Sequence, residues 1–236
     1  MKIATALTLL SQPSVLRDVL LVVTWLSIVT IVAFAAKAWG HHSPEIVRKV
    51  VHIGTGNVIL LAWWLQIPAW MGILASVIFS AVTLISYTFP ILPIINGVGR
   101  KSLGTFFYCL SIGILIGAFW PMGLPYYAVI GILVMTWGDG MAALVGQRWG
   151  QHPFKIWGMQ KSWEGSCAMA IASYLVTSLI LLGVQGPALA TWGVSLVIAL
   201  SATILELYSK RGMDNLTVPL GSGAIAFGLN HLYFGL

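Results

Sequence analysis

Long apolar runs alternate with short polar breaks along almost the whole chain. A helix that crosses a bilayer needs about 20 mostly apolar residues. Runs of that kind fall at about 19–38, 50–66, 69–87, 103–120, 125–147, 166–184, 188–208 and 218–235. The second is short and the eighth is glycine-rich, which suits a partial or tilted crossing. Pro68, Pro121, Pro125 and Pro187 punctuate the tight connections. The pattern predicts an all-α, polytopic transmembrane helical bundle of 7–8 spans, with residues 1–236 forming a single integral membrane domain. Met1 to Ser14 reads as a short tail, because no small-residue cleavage site follows its apolar run.

Composition agrees. The chain is 58% hydrophobic and 8% charged, with a mean hydropathy of +0.93, whereas soluble domains are about 25% charged. The net charge of +6 does not point to a nucleic-acid partner, because the basic residues flank apolar spans, where they set topology. Lys37, Arg48, Lys49, Arg100, Lys101, Arg148, Lys155, Lys161, Lys210 and Arg211 make ten of the twelve cations, and all fall on the connections after spans 1, 3, 5 and 7 or beside them. That face is expected to be cytoplasmic, with both termini opposite. Glu45, Asp139, Glu164, Glu206 and Asp214 gather on the same face; only Asp18 does not. Cys109 and Cys167 lie in apolar runs without ligand spacing and read as small apolar residues.

The candidate chemistry centres on Thr136 to Ser166. Asp139, Ala142, Ala143, Gly146 and Gly150 recur at helical spacing and share a face. Such a face suits close helix packing; it equally leaves room for a bulky ligand. Packing alone does not require Asp139, about 13 Å along the helix from Arg148. A carboxylate in an apolar span is a functional candidate by default, and a magnesium ion shared with phosphate oxygens would satisfy it. Arg148, Lys155 and Lys161 could neutralise phosphates or simply mark topology. Lys161 precedes Ser162, Glu164 and Gly165 at the start of the next helix, a natural place for an anion; Glu164 there would orient Lys161 or a metal-bound water. Glu206 could pair with Lys210 four residues on, and Asp214-Asn215 could cap a helix, yet both carboxylates also fit a divalent-metal site. Arg48 and His52 share a face, with His52 either a structural residue or a base. Arg100 and Lys101, beside Ser102 and Gly104, form another anion contact. GxxxxGK[ST], HExxH, CxxC and GxSxG are all absent.

Asp139-x-x-Ala142-Ala143-x-x-Gly146-x-x-x-Gly150 followed by Lys161-Ser162-x-Glu164-Gly165-Ser166 resembles the CTP-binding signature of the polyprenol kinase family, which includes dolichol, phytol and farnesol kinases and a CTP-dependent diacylglycerol kinase. Arg48-Lys49-x-x-His52, Gly99-Arg100-Lys101-Ser102-x-Gly104-Thr105 and Asp214-Asn215-Leu216-Thr217-x-Pro219 match as well, so the resemblance runs from about residue 44 to 223. The short chain is most similar to the phytol kinase branch. The resemblance implies transfer of the terminal phosphate of CTP to a prenyl alcohol, most readily phytol, as in phytol salvage for tocopherol synthesis. Farnesol, geranylgeraniol, dolichol or diacylglycerol are alternative acceptors. A lipid-phosphate cytidylyltransferase and a transporter are the rival classes.

Residues and resemblance together assign Asp139, Lys161, Glu164 and His52 to catalysis, with Glu164 and His52 as alternative bases. Ala143, Gly146, Arg148, Gly150, Lys161, Arg100, Lys101 and Arg48 are assigned to the nucleotide, and Asp139, Asp214 and Glu206 to Mg2+. The expected partners are a nucleoside triphosphate and an alcohol dissolved among the membrane lipids. The expected location is a cell membrane, or a thylakoid membrane in a photosynthetic bacterium.

Overall fold

A computed structural model describes residues 13–38, 44–89 and 103–234. The elements run α1 (Pro13–Ala38), α2 (Pro44–Gly56), α3 (Val58–Trp64), α4 (Ala69–Thr88), α5 (Gly104–Phe119) and α6 (Pro125–Leu133). A π-helical turn (Val134–Asp139), α7 (Gly140–Trp149), β1 (Pro153–Ile156), β2 (Met159–Ser162), α8 (Trp163–Gln185), α9 (Leu189–Tyr208) and α10 (Asp214–Phe234) complete them. Among the described residues five helices are long and apolar enough to cross a membrane: Val15–Ala38, Ala69–Tyr87, Pro125–Trp149, Trp163–Gln185 and Leu189–Tyr208. The protein is an all-α, membrane-type helical bundle with one small hairpin.

Pro125–Trp149 is the central rod: 67% of its most apolar stretch is buried, against 11% for α1. Tyr127, Ile130, Ile132, Val134 and Met135 are fully enclosed on it. α5, α8 and α10 pack around it, α4 covers α5, and α9 closes on α8 and α10. A Cβ on Gly131 would stand 2.4 Å from the Pro219 carbonyl oxygen, so only glycine lets α6 and α10 approach this closely. Outside this core, Leu20, Ile31 and Phe34 on α1, Phe79 on α4, Leu179 on α8 and Leu196 on α9 are exposed, as lipid-facing side chains should be.

Two stretches differ from the sequence expectation. The second span is interrupted at Asn57, whose side-chain amide donates to the Ile53 carbonyl at 2.9 Å. The Thr55 hydroxyl likewise bonds Val51 O at 2.8 Å. These local bonds compete with the regular ladder and divide the run into α2 and α3. The segment between α7 and α8, read as loop, is an antiparallel hairpin pairing Pro153 with Ser162 and Phe154 with Lys161. Its two turn residues, Trp157 and Gly158, have φ of 54° and 80°, the left-handed pair that a tight hairpin turn requires. α10 also starts at Asp214, four residues before the apolar run expected from 218.

Candidate functional site

The π-helical turn is held from two sides. Thr136 Oγ1 lies 2.7 Å from the Ile132 carbonyl and 2.7 Å from the Tyr108 hydroxyl of α5. Trp137 Nε1 donates to Asn57 Oδ1 at 3.1 Å. A π-helical turn re-aims the residues at its end and is common at functional sites; here the residue at its end is Asp139.

Asp139 is buried, and its carboxylate forms an ion pair with the Lys49 ammonium from α2. His52 Nε2, one turn further along α2, is 3.7 Å from the same oxygen, Oδ2. The His52 ring packs at a tilt of 40° against Tyr108, with centroids 4.4 Å apart. Its Nε2 is buried and makes no hydrogen bond. A buried polar nitrogen without a partner is costly, so this atom stands ready for a donor.

A second ion pair joins Lys161, at the end of the hairpin, to the buried carboxylate of Glu206 on α9; the same ammonium is 3.3 Å from the Glu206 carbonyl oxygen. Glu206 and Asp214 are within electrostatic range of each other and of Asp139, and Asp214 also feels Lys49 and Lys161. Asp214 accepts a hydrogen bond from Asn215 Nδ2 at 3.3 Å. So α2, the π-helical turn, the hairpin, α9 and α10 bring three carboxylates, two lysines and a histidine to one end of the bundle.

The other sequence candidates fall around this cluster. Arg48 is half-buried and acts electrostatically on Asp139. Arg148 is exposed, its guanidinium 5.4 Å from the Trp149 ring centroid. Arg100 and Lys101 lie outside the described residues. Gly146, Gly150 and the half-buried Ala143 lie on α7, but no open groove follows from the glycines. A Cβ on Gly146 would sit 3.1 Å from Ser162 Oγ, and one on Gly150 3.0 Å from Ser162 Cβ. The turn into α8 fills the room they leave, as in close helix packing. Ser162 caps α8, accepting from Gly165 N at 3.1 Å.

Two expected pairings are replaced. Glu164 does not orient Lys161: it accepts from the His152 backbone N–H at 3.2 Å and sits 2.6 Å from His152 Nδ1, anchoring the start of the hairpin. Glu206 orients Lys161 instead. Lys210 does not pair with Glu206 and rests 4.4 Å above the Trp157 ring. Lys49 marks topology and belongs to the Arg48-Lys49-x-x-His52 match but is assigned no role by the sequence; its spacing three before His52, which puts both on one face of α2, is the signal that points to one. Among the described residues no three His, Cys, Asp or Glu side chains stand close enough to hold an ion unaided. The carboxylates therefore fit a magnesium ion only in the mode that uses one or two of them plus phosphate oxygens.

No family model and no solved structure matches the chain. Curated proteins do. A phytol kinase of Synechocystis sp. is 48% identical over 215 residues, covering 91% of this chain and 92% of that protein. A probable chloroplastic phytol kinase of Triticum aestivum is 28% identical over 76% of this chain and 66% of its own length. A chloroplastic farnesol kinase of Arabidopsis thaliana is 29% identical over 75% of this chain and 61% of its own length.

Proposed function

The chain belongs to the phytol kinase group of the polyprenol kinases, and we propose that it transfers the terminal phosphate of CTP to phytol at the cytoplasmic rim of its bundle. It is a kinase, a phosphotransferase with an alcohol acceptor. The observation that carries the residue assignment is the meeting of Asp139, His52, Lys161, Glu206 and Asp214 from five separate elements. The farnesol kinase relative supports shorter prenyl alcohols as further acceptors.

In this reading the alcohol keeps its chain among the helices, where each buried CH₂ is worth about 0.8 kcal/mol. Its hydroxyl is presented at the cluster. The hydroxyl oxygen bonds to the γ-phosphorus, the bond from that phosphorus to the β–γ bridging oxygen breaks, and CDP leaves. His52 Nε2, which lacks a hydrogen-bond partner, receives the hydroxyl proton. Lys161 lies against the phosphates, with Arg48, Arg100, Lys101 and Arg148 as outer cations, and neutralises charge that develops in the loose transition state. Asp139, with either Asp214 or Glu206, would hold Mg2+, and the ion would supply neutralisation of the phosphate charge. Gly146 and Gly150 keep α7 tight against the turn that presents Lys161, and Ala143 lies on the same helix toward the nucleotide. Glu164 fixes the hairpin through His152. The cyanobacterial and chloroplast relatives support a photosynthetic membrane, thylakoid or cell membrane, as the location.

The test is purified protein with Mg2+, each of the four ribonucleotides, and phytol, farnesol, geranylgeraniol and diacylglycerol in turn. CTP with phytol should give CDP and phytyl phosphate. Pyrophosphate in place of CDP would make the protein a cytidylyltransferase, and ATP as the preferred donor would overturn the CTP assignment.

A further inference from the structure

We propose that Lys49 is a second phosphate-binding residue of this site, kept on Asp139 and passed to the nucleotide when Asp139 takes up a divalent ion; this rests on the nucleotide-dependent reading above. Lys49 is 4% exposed. A lysine that only marks topology reaches out to lipid headgroups, whereas this one points inward to a carboxylate 90 positions away.

The local charge balance says why the pair is not a permanent fixture. Asp139, Glu206 and Asp214 influence one another, and the cations that reach them are Lys49, Lys161 and, at Asp139, Arg48. Three carboxylates thus face three cations, and a divalent ion would join the cluster together with the phosphate oxygens that balance its charge. Once an ion sits on Asp139, the ammonium on the same carboxylate is repelled by it. Lys49 then needs another anion, and phosphate oxygens arrive with the ion.

Helix packing keeps Lys49 at the site during that exchange. A Cβ on Gly56 would meet Thr136 Oγ1 at 2.1 Å, and one on Gly140 would meet Ile53 Cδ1 at 2.7 Å, so α2 is seated directly on the π-helical turn and α7. Trp25 Nε1 of α1 also holds the Gly54 carbonyl at 2.7 Å. The backbone of α2 has nowhere to go, and only the flexible lysine stem turns. Lys161 arrives from the hairpin and is stored in the same way, on Glu206. Two lysines from separate elements are thus available to neutralise the charge of a triphosphate at this end of the bundle.

The experiment measures steady-state kinetics with CTP, Mg2+ and phytol for wild type, Lys49→Met, Lys49→Gln and Lys49→Arg, together with the thermal shift each protein shows on adding Mg2+ and CTP. Loss of a phosphate contact should lower kcat/KM for CTP by about a hundredfold in Lys49→Met. KM for phytol should stay within about threefold, because the alcohol chain is bound elsewhere. Lys49→Arg should recover to within about tenfold of wild type, since it keeps the charge. The nucleotide-induced thermal shift should shrink in Lys49→Met and Lys49→Gln; a merely structural lysine would leave it intact. If Lys49→Met does not fold, Lys49→Gln and Lys49→Arg give the same comparison. Wild-type CTP kinetics and an undiminished thermal shift in a folded Met or Gln variant would overturn the role of Lys49 alone. A wild-type protein that neither turns over nor is stabilised by any nucleotide would overturn the kinase site with it.

Discussion

Asp139 and Glu206 each hold a lysine from a distant part of the chain, but the two pairs sit in different surroundings. Lys49 is enclosed, while the Lys161 side chain is 20% exposed. Removing the charge of Asp139 leaves an ammonium buried without a partner, a loss on the order of 3–5 kcal/mol. Glu206→Gln frees an ammonium that can reach water, so its cost should be nearer the ~1–3 kcal/mol of one charged hydrogen bond. Asp139→Asn should therefore show the larger fall in thermal midpoint, and turnover should drop by at least about a hundredfold even below that midpoint. Nearly wild-type turnover in folded Asp139→Asn would remove the carboxylate from the site. His52 and Glu164 can be told apart in the same assay. His52 Nε2 is buried and unbonded beside Asp139, whereas both Glu164 oxygens are engaged by His152. His52→Ala should lose about a hundredfold in kcat and Glu164→Ala less than tenfold; the reverse order would make Glu164 the base.

At the scale of the element, the π-helical turn and α2 form one device. Thr136 is bonded to Tyr108, Trp137 to Asn57, and Gly56 leaves α2 free to touch both Thr136 and Tyr108. Gly56→Ala should push α2 outward, costing about 1–3 kcal/mol of stability and moving Lys49 and His52 off Asp139 together. Deleting one residue within 134–137 should close the turn into regular helix, since such turns arise from one extra residue. The flanking helices would remain packed while Asp139 turned away from Lys49, so kcat should fall and the thermal midpoint should drop about as far as in Asp139→Asn. Unchanged kcat in the deletion variant would show that the turn does not aim Asp139. Most helices were legible because lipid demands long apolar runs, and Asp139 was legible because such runs do not tolerate an acid without a reason. The hairpin was not: Pro153 to Ser162 has no clean apolar alternation, and its turn places a tryptophan, not the usual asparagine or aspartate, at positive φ. Nor were the ion pairs. Local spacing offered Lys210 to Glu206 and Lys161 to Glu164, but hairpin and helix packing decided for Lys161 with Glu206 and Lys49 with Asp139.

At the scale of the whole molecule, the position of the cluster makes a statement about sidedness. α6, the π-helical turn and α7 run as one rod from Pro125 to Trp149, with the turn containing Met122 and Gly123 at one end and the hairpin at the other. α8 returns antiparallel to that rod: Gly138 faces Met169 and Ser173, and Gly146 faces Gly165. A rod of 25 residues is about 37 Å long at 1.5 Å per residue, enough to span the hydrocarbon layer. Its two ends must therefore open to opposite aqueous phases if it crosses the bilayer. Lys155, Lys161, Lys210 and Arg211 gather at the hairpin end, so that end should be cytoplasmic. Cys109 and Cys167 are free thiols and can be replaced by alanine to give a background for labelling. In that background Lys155→Cys should react with a membrane-impermeant maleimide only from the cytoplasmic side, and Met122→Cys, exposed on the opposite turn, only from the other. Both labelling from one side would mean that the rod does not cross. Reversed labelling would place the lysines, the carboxylates and the phosphate transfer on the side where cytoplasmic nucleotide cannot reach them.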